Sequence, residues 1–248
     1  MTIASEITRI KTAIADAYTA CQDMGATMPA ILNSDNLEQC IASITGGGSS
    51  ATVLHLYDRV DNKATVAGFW TDGNSQRYAV CVADAAYRSG SQLWSNYQHD
   101  ILPNYTTSSA ALAATESATF NMNTIRSNYD LNTYPAFNSA YSKTITLDGT
   151  TYNGLLPNAA ELQMIYQDRA TLDTYDTTLT DYPSNDLTTW NIEGNSLSAC
   201  WSSIQYSSSR AWRLDSSGSW YSNIAKSGGH YGIIPIFEIP VDENGEVQ

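Results

Sequence analysis

Positive charge is scarce in this chain: 12 Lys and Arg stand against 25 Asp and Glu, a formal net charge of −13 over 248 residues. Phosphate neutralisation needs clustered Lys and Arg, so nucleic acid and anionic membrane surfaces are excluded as partners. No run of 18 apolar residues occurs, so no membrane insertion is expected. The opening Met1-Thr2-Ile3-Ala4-Ser5-Glu6 lacks a basic start followed by an apolar core, so no signal peptide is expected. Cysteine is rare, at Cys21, Cys40, Cys81 and Cys200, with no C-x-x-C spacing. Four free, mostly buried thiols are expected, and no disulfide framework.

Catalytic signatures are missing too. No G-x-S-x-G elbow exists, and the histidines, His55, His99 and His230, sit apart with no Cys or carboxylate motif around them. Carboxylates are plentiful, but nothing singles out a glycosidase pair. No D-x-D-x-D-G loop is present, so no calcium is expected, and no other metal or cofactor. Gly46-Gly47-Gly48 is followed by Ser-Ser rather than Lys-Ser/Thr, so it is not a phosphate cradle.

What is there is a core. Hydrophobic residues make up 42% of the chain and charged residues only 15%, which fits one large domain with a small appendage and no disordered chain. Residues 1–45 read as two helices. Ile3, Ile7, Ile10, Ile14, Ala17 and Cys21 follow a 4-3-4-3-4 spacing, a heptad seam with Ile at both inward positions, which favours trimers or tetramers. Gly25 and Pro29 end this helix. Asp35 and Glu38 open a second, with Leu37, Cys40, Ile41 and Ile44 on one face. Segment 46–50, Gly-Gly-Gly-Ser-Ser, is the linker.

Short strands follow. Val53–Tyr57 is apolar and β-prone, and Ala64–Trp70 and Gln76–Val82 flank an Asp72-Gly73 turn. Ser108 or Ser109 caps a helix running through Leu112, Thr115, Thr119, Met122 and Ile125. Thr144–Leu147 and Thr150–Tyr152 flank Asp148-Gly149, a second hairpin. Asn158-Ala159-Ala160-Glu161 is a capping box, opening a helix with Leu162, Ile165, Tyr166, Arg169 and Leu172. Thr174–Asn195 reads as loop. Ala211–Asp215 and Ser219–Ile224 flank a turn. Ile233–Ile239 reads as one buried strand ended by Pro240, and Val241–Gln248 as a frayed tail. The fold class is α+β.

The last fifth has a composition of its own. From Cys200 to Gly232 there are 10 Ser, 3 Tyr and 3 of the chain's 6 Trp, with Asp215 the lone carboxylate. Tyr and Trp supply stiff contact area, and Ser, Gly and Asn supply adaptable hydrogen bonding, which is how paratopes are composed. On a strand over Ala211–Asp215, Trp212 and Leu214 share one face while Arg213 and Asp215 share the other.

Gly154-Leu155-Leu156-Pro157 with Asn158-Ala159-Ala160-Glu161-Leu162, then Cys200-Trp201-Ser202-Ser203, Gln205-Tyr206, Ala211-Trp212 and Ile234-Pro235-Ile236-Phe237-Glu238-Ile239, resembles the C-type-lectin-fold variable proteins of diversity-generating retroelements. The phage major tropism determinant is of this class, and formylglycine-generating enzymes are distant kin. The resemblance covers roughly residues 51–240. It implies a C-type lectin fold over 51–241, after a helical oligomerisation or attachment segment at 1–45 and before a flexible tail at 242–248. In the family, a reverse transcriptase copies a template repeat with errors at adenines, and the copy replaces the end of the target gene. Trp201, Trp212 and Trp220 have no adenine in their codon and would form the frame. Ile204, Tyr206, Ser207, Ser208, Ser209, Arg210, Arg213, Asp215, Ser216, Ser217, Ser219, Tyr221, Asn223, Ala225, Ser227, Gly228, Gly229, His230 and Gly232 would form the variable, ligand-facing set.

The resemblance implies a protein that binds and does not catalyse. Its expected role is host attachment on a phage virion, recognising a bacterial surface protein or glycan. Its N-terminal helices would form a homotrimer and join a virion structural protein. Two alternatives are a bacterial or prophage-encoded surface adhesin and a formylglycine-generating-type enzyme, for which Cys200 is the matching cysteine and is expected in the core. Calcium-dependent lectins use an E-P-N loop and a W-N-D strand, whereas here Trp190-Asn191 runs on to Ile192-Glu193.

Overall fold

The computed structural model describes residues 3–23, 28–29, 32–34, 36–37, 52–190, 192 and 199–248. The chain divides into two compact units, Met1–Val53 and Leu54–Gln248.

In the first unit, helix α1 spans Ile3–Asp23. Its C-terminal half is packed. Tyr18 and Cys21 are buried against Ile14, Met28 and Leu37, and the Tyr18 hydroxyl donates to the Asn33 carbonyl at 2.8 Å. Its N-terminal half leaves Ile7 48% and Ile10 54% exposed. The expected second helix is described only at Ser34, Asn36 and Leu37, and the Gly-Ser linker lies outside the described residues.

The second unit is a mixed α+β arrangement. One sheet has the order β1-β2-β3-β11, with β1 at Arg59–Val60, β2 at Ala64–Thr71, β3 at Arg77–Ala83 and β11 at Ile236–Val241. Its pairings are all antiparallel. A second sheet has the order β4-β10-β7-β8-β9, with β4 at Ser89–Leu93, β7 at Ala199–Ser207, β8 at Arg210–Asp215, β9 at Trp220–Tyr221 and β10 at His230–Ile233. Strands β5 (Thr144–Leu147) and β6 (Thr150–Asn153) form a separate hairpin. The helices are α2 (Ser108–Leu112), α3 (Ala118–Asn128), α4 (Pro135–Tyr141), α5 (Ala159–Gln167) and α6 (Arg169–Tyr175).

Strand β3 shows why the first sheet is buried on both faces. Val80 and Val82 point into the main core with Trp94, Phe137, Leu162 and Trp201. Ala79, Cys81 and Ala83 point into a second core with Val66, Ile145, Phe237 and Ile239. This is the two-residue period of a strand covered on both sides. Helix α5 lies so close to β2 that a Cβ on Gly68 would sit 2.3 Å from the Met164 sulfur. Cys21, Cys81 and Cys200 are free and buried.

Several boundaries differ from the sequence reading. Val53–Tyr57 is not a strand, because Tyr57 takes a left-handed φ of 69° and its N–H turns to the Val66 carbonyl. The helix expected from Ser108 through Ile125 is two helices. The first starts at Thr107, whose side chain accepts from Ala110 N–H. The second is capped afresh by Ser117, and both oxygens of Glu238 accept from its first N–H groups, Ala118 and Thr119, at 2.9 and 2.8 Å. That carboxylate meets the positive end of α3.

The strand expected over Ile233–Ile239 breaks at Ile234-Pro235, where the chain passes from one sheet to the other. Pro240 does not end it. It sits within β11 opposite Tyr78, on an edge strand where a missing N–H costs no ladder bond. The tail over 242–248 is not frayed. Asp242 accepts from Asn244 and Glu246 N–H, each at 2.8 Å. Val241 bridges Val247, and Leu54 N–H donates to the Gly245 carbonyl.

Two buried polar clusters hold the unit together. Arg88 donates to Asp176 at 2.8 Å and to the carbonyls of Ala83 and Asn185, with Asp173 at 3.6 Å. This ties the turn-rich segment after α6 to the first sheet. The Asn158–Glu161 capping box forms reciprocally. The other oxygen of Glu161 has no N–H or O–H donor in reach. Burial first, and then the neighbouring Glu238 carboxylate, raise the Glu161 pKa well above the ordinary range. A proton kept on Glu161 supplies the donor that the pair lacks.

Candidate functional site

The candidate surface is built on the far end of the second sheet. Trp201 on β7 lies opposite Arg213 on β8, and Arg213 lies opposite Tyr221 on β9. Strand β10 runs parallel to β7 with Gly232 beside Cys200, which brings Tyr231 edge-on to Trp201 at 4.8 Å. The result is a row across four strands: Tyr231, Trp201, Arg213, Tyr221. The Arg213 guanidinium lies 4.5 Å from the Tyr231 ring centroid and 5.0 Å from that of Tyr221. It donates to Asn223 Oδ1 at 3.4 Å, and its Nε is buried with no hydrogen-bond partner. Trp201 is the fully buried member of this row, and its indole N–H donates to the Gln92 carbonyl at 2.9 Å.

On the other face of β8, Trp212 is 5% exposed and its indole N–H donates to the Tyr105 carbonyl at 2.7 Å. Tyr206 meets its ring edge-on at 5.6 Å. Trp220 is half-buried and donates to Gln163 at 2.8 Å. All three Trp of this region therefore have their N–H satisfied, as buried indoles require.

Of the sequence-derived ligand-facing set, Arg210, Ser216, Ser217, Tyr221, Asn223, Gly228 and His230 are exposed, and Tyr206, Ser207, Ser208, Ser209, Arg213, Asp215, Ser219, Ala225 and Ser227 are half-buried. Three positions are corrections. Ile204 is 2% exposed and packs with Trp212, Ala111 and Ala159. A Cβ on Gly229 would sit 2.4 Å from Ile224 and 2.6 Å from the Tyr231 ring. One on Gly232 would sit 2.9 Å from Ile192 and 3.1 Å from the Cys200 sulfur. These three positions are buried in the packed interior. Gly228 differs from its neighbour, since its Cβ would meet nothing closer than 3.5 Å. Asp215 is committed to the turn, where Oδ1 accepts from Ser217 and Ser219 N–H at 2.9 Å each.

Sequence reasoning missed two contributors. Lys226 is fully buried and pins the loop before β10. Its ammonium donates to His99 O at 3.0 Å and Gln205 Oε1 at 2.5 Å and sits over Trp94 at 4.5 Å. Burial pulls its pKa down to about 7, against the pull of Asp100. The second is the loop over 97–104. Gln205 Nε2 donates to Asp100, Leu102 O and Asn104, and Gln98 reaches Ser227 at 3.4 Å. The polar, aromatic run Tyr97-Gln98-His99-Asp100 was its signal.

Chemically the region is a shallow, hydroxyl-rich surface. Four cavities, of about 260, 340, 390 and 510 Å³, open elsewhere, and none takes a lining residue from 204–232. Cys200 is buried and its thiol pKa is pushed up by desolvation, so no thiolate forms there. Asn191 and Glu193 lie outside the described residues. Among the described residues no three His, Cys, Asp or Glu side chains cluster as a metal site, and no helix is long and apolar enough to cross a membrane. No family model, curated protein or solved structure matches the chain.

Proposed function

We propose that this protein binds a ligand through a diversified surface carried on a C-type lectin fold, and serves host attachment on a phage particle. The observation that carries the reading is the separation of roles within one stretch of chain. Trp201, Trp212, Ile204, Gly229 and Gly232 are packed, while Ser208, Arg210, Ser217, Asn223, Gly228 and His230 are open enough to change without disturbing them. A fold tolerates dense variation only at such positions. The ligand is a receptor on a bacterial cell. The N-terminal helix supplies attachment and self-association, for which the exposed Ile7 and Ile10 are the support. The buried, protonated Cys200 gives a formylglycine-generating mechanism nothing to start from.

The test lies in the neighbouring DNA. A near-copy of the codons for residues 200–239, differing mainly at template adenines and lying beside a reverse transcriptase gene, is the expected finding. Its absence would remove the diversification mechanism. For self-association, light scattering on the full chain should give a trimer, and a chain starting at Ser49 a monomer. A monomeric full chain would refute the seam.

A further inference from the structure

We infer that the Arg213–Tyr221 row is a subsite for a carboxylated sugar, so that the ligand of this variant is an acidic polysaccharide. The inference rests on the binding-surface reading above and names its ligand class. Four observations carry it. First, the chain as a whole is strongly acidic, yet residues 200–232 hold Arg210 and Arg213, apart from the buried Lys226, against Asp215 alone, and Asp215 is bound into its own turn. Second, Arg213 and Arg210 have no carboxylate within ion-pairing distance among the described residues, whereas Arg59 is held by one and Arg88 by two.

Third, Arg213 is oriented before any ligand arrives. The flanking Tyr231 and Tyr221 rings restrict a side chain that otherwise loses much rotamer freedom on binding. A guanidinium fork matches a carboxylate in two parallel hydrogen bonds. Fourth, the surroundings suit a sugar better than a peptide. Tyr221 is 39% exposed and offers a ring for pyranose C–H groups, and Ser216 and Ser217 on the turn between β8 and β9 are exposed as well.

The experiment uses the full chain and measures binding to polygalacturonate, its methyl ester, dextran and poly-glutamate at low and moderate salt. Polygalacturonate should bind, its ester and dextran should not, and Arg213→Gln should weaken binding about tenfold or more, as expected for a hydrogen-bonded charge. Tyr221→Ala should weaken it less, and Arg126→Gln, away from this surface, should leave it unchanged. Melting curves establish that each variant is folded. Should Arg213→Gln fail to fold, the exposed Arg210→Gln takes its place, with a several-fold loss expected. Equal binding of the ester, or preference for poly-glutamate, overturns the ligand class and leaves the surface standing. Polygalacturonate binding that Arg126→Gln abolishes and the Arg213, Arg210 and Tyr221 variants leave intact overturns the surface itself.

Discussion

Arg88 and Arg213 carry the same side chain under opposite conditions. Arg88 is buried, with two carboxylates and two carbonyls around its guanidinium. Arg213 is half-buried, with two rings and one long amide contact. The first is committed to holding a turn-rich segment on a sheet. The second has hydrogen-bonding capacity left to offer. Within 204–232 the same division recurs: Gln205, Asp215 and Lys226 are bonded internally, while Arg210 is exposed.

The largest effects should come from breaking the committed side. Arg88→Ala leaves Asp176 and Asp173 buried without their partner, which should cost about 3–5 kcal/mol. Trp201→Ala removes a fully buried side chain and should cost about as much. Arg213→Ala should cost no more than about 1 kcal/mol, the worth of a partly exposed cation–ring contact. Denaturant unfolding of the three variants measures this directly. An Arg213→Ala loss equal to that of Arg88→Ala would abolish the contrast.

A sharper version compares adjacent glycines. Gly229→Ala forces its Cβ into Ile224 and Tyr231 and should lose about 1–3 kcal/mol. Gly228→Ala meets Ala225 only at ordinary van der Waals distance, with no left-handed backbone to strain, and should be neutral or slightly stabilising. Equal losses at both would show that the whole loop is frame.

A separate comparison is the pH dependence of two buried groups, Glu161 and Lys226. The folded-state pKa of Glu161 is raised, so the native state holds a proton that the unfolded chain releases near its ordinary pKa of about 4.3. The stability this contributes is complete below that pH and is lost as pH rises towards the folded value. Glu161→Gln should flatten this part of the stability–pH curve. Lys226 has the opposite sign. With a folded pKa of about 7 and an unfolded one of about 10.4, the native state binds fewer protons between them, so stability rises with pH over that window. Lys226→Met should remove the rise. Unfolding curves from pH 4 to 10 test both, and a wild-type curve unchanged by either substitution would contradict the assignments.

How much of this the sequence carried depends on the kind of signal. The capping box at Asn158 and the hairpins at Asp72-Gly73 and Asp148-Gly149 were legible because each rests on a few adjacent residues. The break of the long helix at Ser117 was not, because the local Ser117 cap is completed by Glu238, which binds Ala118 N–H from 120 residues away. Nor was the path of Pro240, whose place depends on β11 being an edge strand. At the candidate surface, the alternation of Trp212 and Arg213 was readable as a two-residue period. Ile204, Gly229 and Gly232 were misassigned because what fixes them is the packing of other segments, such as Ala111, Ile224 and Ile192. Lys226 passed unnoticed because its role depends on where Gln205 and His99 fold.

The most direct test of the central claim is a library varying only Ser208, Arg210, Arg213, Ser217, Asn223 and His230, displayed and sorted first for folding and then for binding. Arg210, Ser217, Asn223 and His230 are exposed and Ser208 and Arg213 half-buried; substitutions at exposed sites usually stay within about 0.5 kcal/mol each, so most members should fold, and their choice of bacterial cell or polysaccharide should differ from one to another. A library whose members mostly fail to fold, or mostly fold and bind one fixed target alike, would contradict the account.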